Sequence, residues 1–261
     1  MDLELKGKVA LVTAGGGGLG TAIALALASE GATVAAVDLS QDALDGAQAA
    51  ADSAGTSLAT YQLDLSDPDA VAQTVDRVGE EHGPIDILVN ITGGPPPTEA
   101  VGVAREDWGK YFDQMVASVI TLTDLVLPGM MERQWGRVIT STSSGAIVPI
   151  PNLGISNTLR ASLHSWNKTA AREVGSHGVT MNIVLPGRIA TQRIKTLDEA
   201  KAARDGRSVD EVRATSVAGI PVGRYGEPDE YGSVVAFLAS ERASYVTGSV
   251  IRIDGGLIDC V

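Results

Sequence analysis

The chain is 261 residues long, 44% apolar and 20% charged, which fits one ordinary globular domain and is too apolar for disorder. Aromatics make up only 4% while glycine reaches 30 residues, so the core must come from Ala, Val, Leu and Ile, as in helices packed on a buried parallel sheet. Twenty basic against 32 acidic side chains leave a net charge of −12, a field that repels nucleic-acid phosphates and anionic lipid; neither nucleic acid nor membrane is expected as a partner. With a single cysteine, Cys260, an internal disulfide and a zinc thiolate site are both excluded, and no metal is expected. Asp2, Glu4, Lys6 and Lys8 precede any apolar run, unlike a signal or transit peptide. The apolar stretches at 23–28 and 116–127 fall short of the roughly 20 residues that span a bilayer. A cytoplasmic protein is expected.

Along the chain, short β-branched runs at 9–13, 33–37, 85–90, 137–142, 179–185 and 250–253 alternate with helical patterns at 19–30, 41–54, 69–82, 106–133 and 153–177. This rhythm predicts an α/β fold, a Rossmann-like doubly wound parallel sheet flanked by helices, as a single domain over 1–261. The strand runs are apolar at nearly every position, as they must be when helices cover both faces. Ser66-Asp67-Pro68 and Glu227-Pro228-Asp229 read as helix starts. Two segments break the rhythm: Gly93-Gly94-Pro95-Pro96-Pro97, which can be neither helix nor central strand, and the polar stretch 191–216, expected to be a substrate-binding lid.

After the first strand, Thr13-Ala14 leads into Gly15-Gly16-Gly17-Gly18-Leu19-Gly20 and an apolar helix. Gly15, Gly17 and Gly20 satisfy G-x-G-x-x-G, a pattern that brings backbone amides and a helix amino terminus up to a pyrophosphate. Asp38 closes the second strand 18 positions after Gly20, where a carboxylate accepts hydrogen bonds from an adenosine ribose and repels a 2′-phosphate. NAD is therefore expected over NADP.

With these motifs the chain resembles the short-chain dehydrogenase/reductase family over nearly its whole length. The family's T-G-x-x-x-G-x-G maps on Thr13 to Gly20, including Gly18 and Leu19, with Ala14 in place of the first glycine. The resemblance implies that Asp64, with Leu65, contacts adenine. It matches Asn90-Ile91-Thr92-Gly93 to the family's N-N-A-G, and Pro186-Gly187-Arg188-Ile189-Ala190-Thr191 to the P-G-x-x-x-T that holds the nicotinamide amide through Ile189 and Thr191. The tail from Val222-Gly223-Arg224-Tyr225-Gly226 through Thr247-Gly248 to Asp254-Gly255-Gly256 is similar too. By resemblance, a homotetramer or homodimer is expected.

The family's catalytic tetrad of Asn, Ser, Tyr and Lys is not kept whole. Its serine falls on Ser143, with Ser141 and Ser144 as alternatives; its Tyr-x-x-x-Lys pair falls on Ser156 and Arg160, and its Asn on Met115. A phenol ionises near pH 10 and can be drawn toward neutrality, whereas an aliphatic hydroxyl is a poor acid and a guanidinium does not give up its proton. Ser143, Ser156 and Arg160 are thus expected to hold a substrate oxygen and stabilise negative charge, with Arg160 also near the cofactor ribose and water carrying the proton. His164, one helical step beyond Arg160, is expected at a subunit interface, and Tyr111 as a packing residue. Six basic against three acidic residues between Arg188 and Arg207 could focus an anionic small-molecule substrate on the site. The leading expectation is an NAD-dependent oxidoreductase acting on an alcohol or carbonyl. A non-redox lyase of the retro-aldol type and a catalytically silent nucleotide-binding subunit are the alternatives.

Overall fold

A computed structural model describes residues 2–260. Seven parallel strands lie in the order β3-β2-β1-β4-β5-β6-β7: β1 (Val9–Thr13), β2 (Thr33–Asp38), β3 (Ala59–Gln62), β4 (Ile87–Asn90), β5 (Gly136–Ser141), β6 (Val179–Pro186) and β7 (Val250–Ile253). The order reverses direction between β1 and β4, so the loops leaving these two strands diverge and open a crevice at the carboxyl edge. Every residue of β1, β4 and β5 is buried, which explains their unbroken apolar runs.

Alternate side chains of the strands feed two cores. Ala10, Val12, Ala36 and Val89 pack with Ile23, Leu27, Leu44 and Val235 under α1 (Gly18–Ser29), α2 (Gln41–Ser53) and α9 (Pro228–Leu238). On the other face Val9, Leu11, Leu88 and Val138 meet Val71, Leu122, Met130 and Val174, from α3 (Pro68–His82), α5 (Ser118–Glu132) and α6 (Gly154–Val174). Each fully buried aliphatic side chain contributes roughly 1.5–3 kcal/mol. Asp67 caps α3 ahead of Pro68, so Ser66-Asp67-Pro68 acts as a helix start, and Ser40 caps α2.

Three features depart from expectation. The segment anticipated as one helix over 106–133 is α4 (Arg105–Phe112), a π turn at Asp113–Ala117, and α5. By length and composition the run Arg105–Glu132 is apolar enough to cross a membrane, contrary to the sequence expectation; half of its apolar window is buried in this fold, as in the core helix of a globular domain. The polar stretch 191–216 folds into α7 (Gln192–Asp205) and most of α8 (Val209–Ala218), the latter opened by a Ser208–Glu211 capping box.

Candidate functional site

The crevice at the carboxyl edge is built first by the turn after β1. Gly15 donates its amide to Val37 O at 2.9 Å, and Gly16 donates to Asp38 Oδ2 at 3.1 Å. Asp38 Oδ1 accepts the Ser40 amide at 3.0 Å, so the half-buried carboxylate ties the glycine turn to the end of β2. α1 starts at Gly18 with no side-chain cap on Gly17, leaving the amides of Gly18 and Leu19 as donors at a positive helix end. A Cβ on Gly20 would collide with the Ala14 carbonyl, and one on Gly18 would sit 2.9 Å from the Thr191 methyl. Ala14 itself takes φ +48°, the left-handed region that explains why glycine is usual there. Small residues, free amides and a carboxylate at this spacing fit the pyrophosphate and adenosine ribose of a dinucleotide.

Beyond β3, Asp64 is exposed and accepts the Ser66 amide at 2.8 Å and the Ser66 hydroxyl at 2.7 Å, bonds that lower its pKa. Leu65 packs against the core under α3, α5 and α6. Two residues expected at the cofactor have their side chains engaged elsewhere. Thr13 Oγ1 donates to Ile91 O and accepts the Ile91 amide, both at 2.7 Å, stapling β1 to β4. Asn90 Nδ2 donates to Thr123 Oγ1 at 3.2 Å inside the protein. Both residues are 1% exposed, so their side chains shape the crevice floor. Interior strand ends leave polar groups without water, and these side chains satisfy one another instead. Ile189 is buried in the upper core, and Thr191 caps α7 by accepting the Ile194 amide at 3.4 Å.

The other wall comes from β5 and α6. Ser143 Oγ accepts the Gly145 amide at 3.1 Å and starts a 3-10 turn, Ser144–Ala146, against which the first turn of α6 packs. Ser156 and Arg160 sit four apart on the inner face of α6, both buried. Among the described residues the Ser156 hydroxyl has no internal hydrogen-bond partner. Arg160 Nη2 donates to Thr92 O at 3.0 Å and Gly93 O at 2.9 Å, and Nη1 reaches Ser141 O at 3.5 Å. No carboxylate pairs with it among the described residues. Taking a cation out of water costs several kcal/mol, which carbonyl bonds offset in part. Burial, with the like charge of Arg193, pushes its pKa down to about 10, while the Tyr231 phenol acts in the opposite sense; the group stays charged at neutral pH.

Two ionisable groups lie closer to this wall than the sequence suggested. His164 Nε2 bonds Thr142 Oγ1 at 3.0 Å, next to Ser143. Tyr231, on α9, meets Ser141 Oγ at 2.8 Å from the opposite face of the sheet and is 0% exposed. Burial lowers the first pKa and raises the second, so both move away from the range where a proton is easily exchanged at neutral pH. The only local signs of the second pair were a tyrosine in an apolar helix and a serine ending an apolar strand. Met115, at the expected Asn position, is 1% exposed, lies in the π turn and packs with Ile155 and Leu159. Tyr111 packs against the same cluster, as expected.

The family described as Enoyl-(Acyl carrier protein) reductase matches residues 14–258. The chain is 34% identical to the 3-oxoacyl-[acyl-carrier-protein] reductase FabG of Thermotoga maritima over 98% of this chain and 100% of the relative. It is 36% identical to the FabG of Vibrio cholerae, over 98% and 99%. Among solved structures it is similar to L-sorbose reductase from Gluconobacter frateurii complexed with NADPH and L-sorbose, with a TM-score of 0.93, 30% identity and 100% of both chains covered. An NAD+-bound xylitol dehydrogenase gives 0.88 at 28% identity, covering 97% of this chain and 100% of that one.

Proposed function

The chain belongs to the short-chain dehydrogenase/reductase family of oxidoreductases, and from that premise we propose an NAD-dependent enzyme that interconverts an alcohol and a carbonyl through a serine-arginine site. The observation that carries the cofactor choice is Asp38. Its carboxylate faces the glycine turn, and the segment that follows, Leu39-Ser40-Gln41-Asp42-Ala43-Leu44-Asp45, adds two more acids and no base. A 2′-phosphate would meet negative charge there. The similar structures name NADPH more often than NAD+, so the proposal of NAD rests on this chain's own residues alone. The relatives are named as reductases and a dehydrogenase, which favours redox chemistry over the retro-aldol and silent-subunit alternatives.

A nicotinamide held by the glycine turn and Asp38 would supply or accept the hydride. Ser143 and Ser156 donate hydrogen bonds to the substrate oxygen, and the Arg160 charge, held in a water-poor setting, favours the alkoxide-like oxygen that develops as hydride arrives. The proton reaches that oxygen from water, since neither hydroxyl is acidic enough to release one. A homodimer or homotetramer, the cytoplasm as setting, and 191–216 as a lid over the substrate belong to the same proposal. The test is titration of the purified protein with NADH and NADPH, followed by turnover of a carbonyl panel read at the nicotinamide absorbance. NADH binding at least tenfold tighter than NADPH, with substrate-dependent loss of absorbance, is expected; tighter NADPH, or no absorbance change with any carbonyl, defeats the reading.

A further inference from the structure

Positive charge collects beside Gly94 without a carboxylate to answer it. α7 has no acidic residue in its first turn and instead places Arg193 and Lys195 within its first four residues, the reverse of what a helix dipole favours. Elsewhere in this segment arginines are engaged: Arg188 pairs with Asp198 at 3.0 Å, Arg204 with Asp205 at 3.2 Å, and Arg207 bonds Glu211 O and Thr215. Arg193 has no such partner among the described residues and is exposed. A Cβ placed on Gly94 would lie 3.6 Å from Arg193 Nη2 and 3.7 Å from Arg160 Nη2. The two guanidinium groups therefore converge on one space, which glycine leaves open. One of them is buried and bonded only to backbone carbonyls. Ser156, with its unengaged hydroxyl, is one turn before Arg160.

We propose that the space bounded by Gly94, Arg160 and Arg193 receives the carboxylate of the substrate, so that the enzyme acts on a short oxo acid or hydroxy acid; this rests on the oxidoreductase reading above. Like-charged arginines repel each other until an anion stands between them; a planar carboxylate can accept the paired N–H donors of the Arg193 fork, while Arg160, whose Nη2 hydrogens go to Thr92 O and Gly93 O, adds its charge. With one end fixed there, the carbonyl of a short oxo acid has only a few bonds' reach, which brings it back along α6 toward Ser156 and Ser143. The other source of anionic oxygens near this helix start is the cofactor's pyrophosphate, and the test separates the two.

The full-length protein is titrated with pyruvate, acetoacetate and levulinate, each against its methyl ester, with and without saturating NADH. At least one acid should bind tenfold or more tightly than its ester, and Arg193→Gln should erase that difference while leaving NADH affinity within twofold. Equal or absent binding of acid and ester overturns the proposal. It is also overturned if Arg193→Gln weakens NADH and leaves the acid-to-ester ratio intact, which assigns the charge to the pyrophosphate. Failure of the wild-type protein to bind NADH would sink the oxidoreductase reading instead, and the titrations without NADH would still decide the carboxylate site. Arg193 is exposed, so the variant should fold; equal melting temperatures check this.

Discussion

The two walls of the crevice recognise their ligands by different means. On the β1–α1–β2 side, the turn offers backbone amides for the proposed contact, and almost any side chain would spoil the turn: Gly20 has no room beside Ala14, and Gly18 none beside Thr191. On the β5–α6 side, the proposed chemistry falls to side chains, and the backbone that carries them is indifferent to their identity. Ser156 and Arg160 occupy an unbroken 21-residue helix, and Met115 fits a π turn by packing on Ile155 and Leu159. A binding turn of the first kind is hard to alter without losing the ligand. A catalytic wall of the second kind can be rewritten while the fold stays as it was.

The sharpest way to break this contrast is Gly20→Val. Forced into the Ala14 carbonyl, the side chain should cost about 1–3 kcal/mol in stability and abolish NADH binding, seen by melting and by fluorescence titration. An unchanged affinity would mean that the turn is not a backbone cradle. Removing a donor on the opposite wall should act mainly on turnover: Ser143→Ala and Ser156→Ala are each expected to lower kcat about 10²-fold or more, with the melting temperature preserved in Ser156→Ala and lowered by the loss of a cap worth about 1 kcal/mol in Ser143→Ala. If Ser156→Ala is silent while Ser143→Ala is not, α6 supplies charge only. Asp38→Asn, which keeps one acceptor oxygen for the Gly16 and Ser40 amides and turns the other into an NH2 donor, should raise NADPH affinity about tenfold, roughly 1.4 kcal/mol, at some expense of NADH and of the glycine turn's anchorage.

Two smaller effects refine the picture. Burial lowers the His164 pKa, so the neutral form is favoured in the fold. The unfolded chain then binds more protons as pH falls below the ordinary value near 6.5, and stability declines in that direction. His164→Gln should flatten the fall of melting temperature on the acid side of pH 6.5 and change nothing above it. Ala14→Gly should stabilise by about 0.5–1 kcal/mol, since φ +48° strains alanine but not glycine, with part of the gain returned to unfolded-chain entropy.

How far the sequence could be read follows the same divide. Strands β1, β4 and β5 lie fully inside, so their apolar runs were legible, whereas β3, an edge strand written Ala-Thr-Tyr-Gln with one buried residue, has no such run and was missed as an element. α7 and α8 escaped because they are polar on nearly all sides, although the Ser208-x-x-Glu211 capping box was available as a signal. At the site, the glycine turn and Asp38 could be found because backbone requirements leave marks at fixed spacing. Thr13 and Asn90 could be located but their roles could not, because their partners lie 78 and 33 residues away. The Tyr231–Ser141 and His164–Thr142 bonds join residues 90 and 22 positions apart, and no local pattern encodes them.

The most direct measurement is the pH dependence of hydride transfer in a single turnover of bound NADH with a reacting carbonyl, from pH 6 to 9, below the Arg160 pKa of about 10. A wall that stabilises charge through Ser143, Ser156 and Arg160 without a titrating acid predicts a rate with no ionisation in that range, lowered by the serine variants at every pH alike. A limb centred between pH 6.5 and 9 that disappears in Tyr231→Phe or His164→Gln would contradict it, and would make that residue the proton donor.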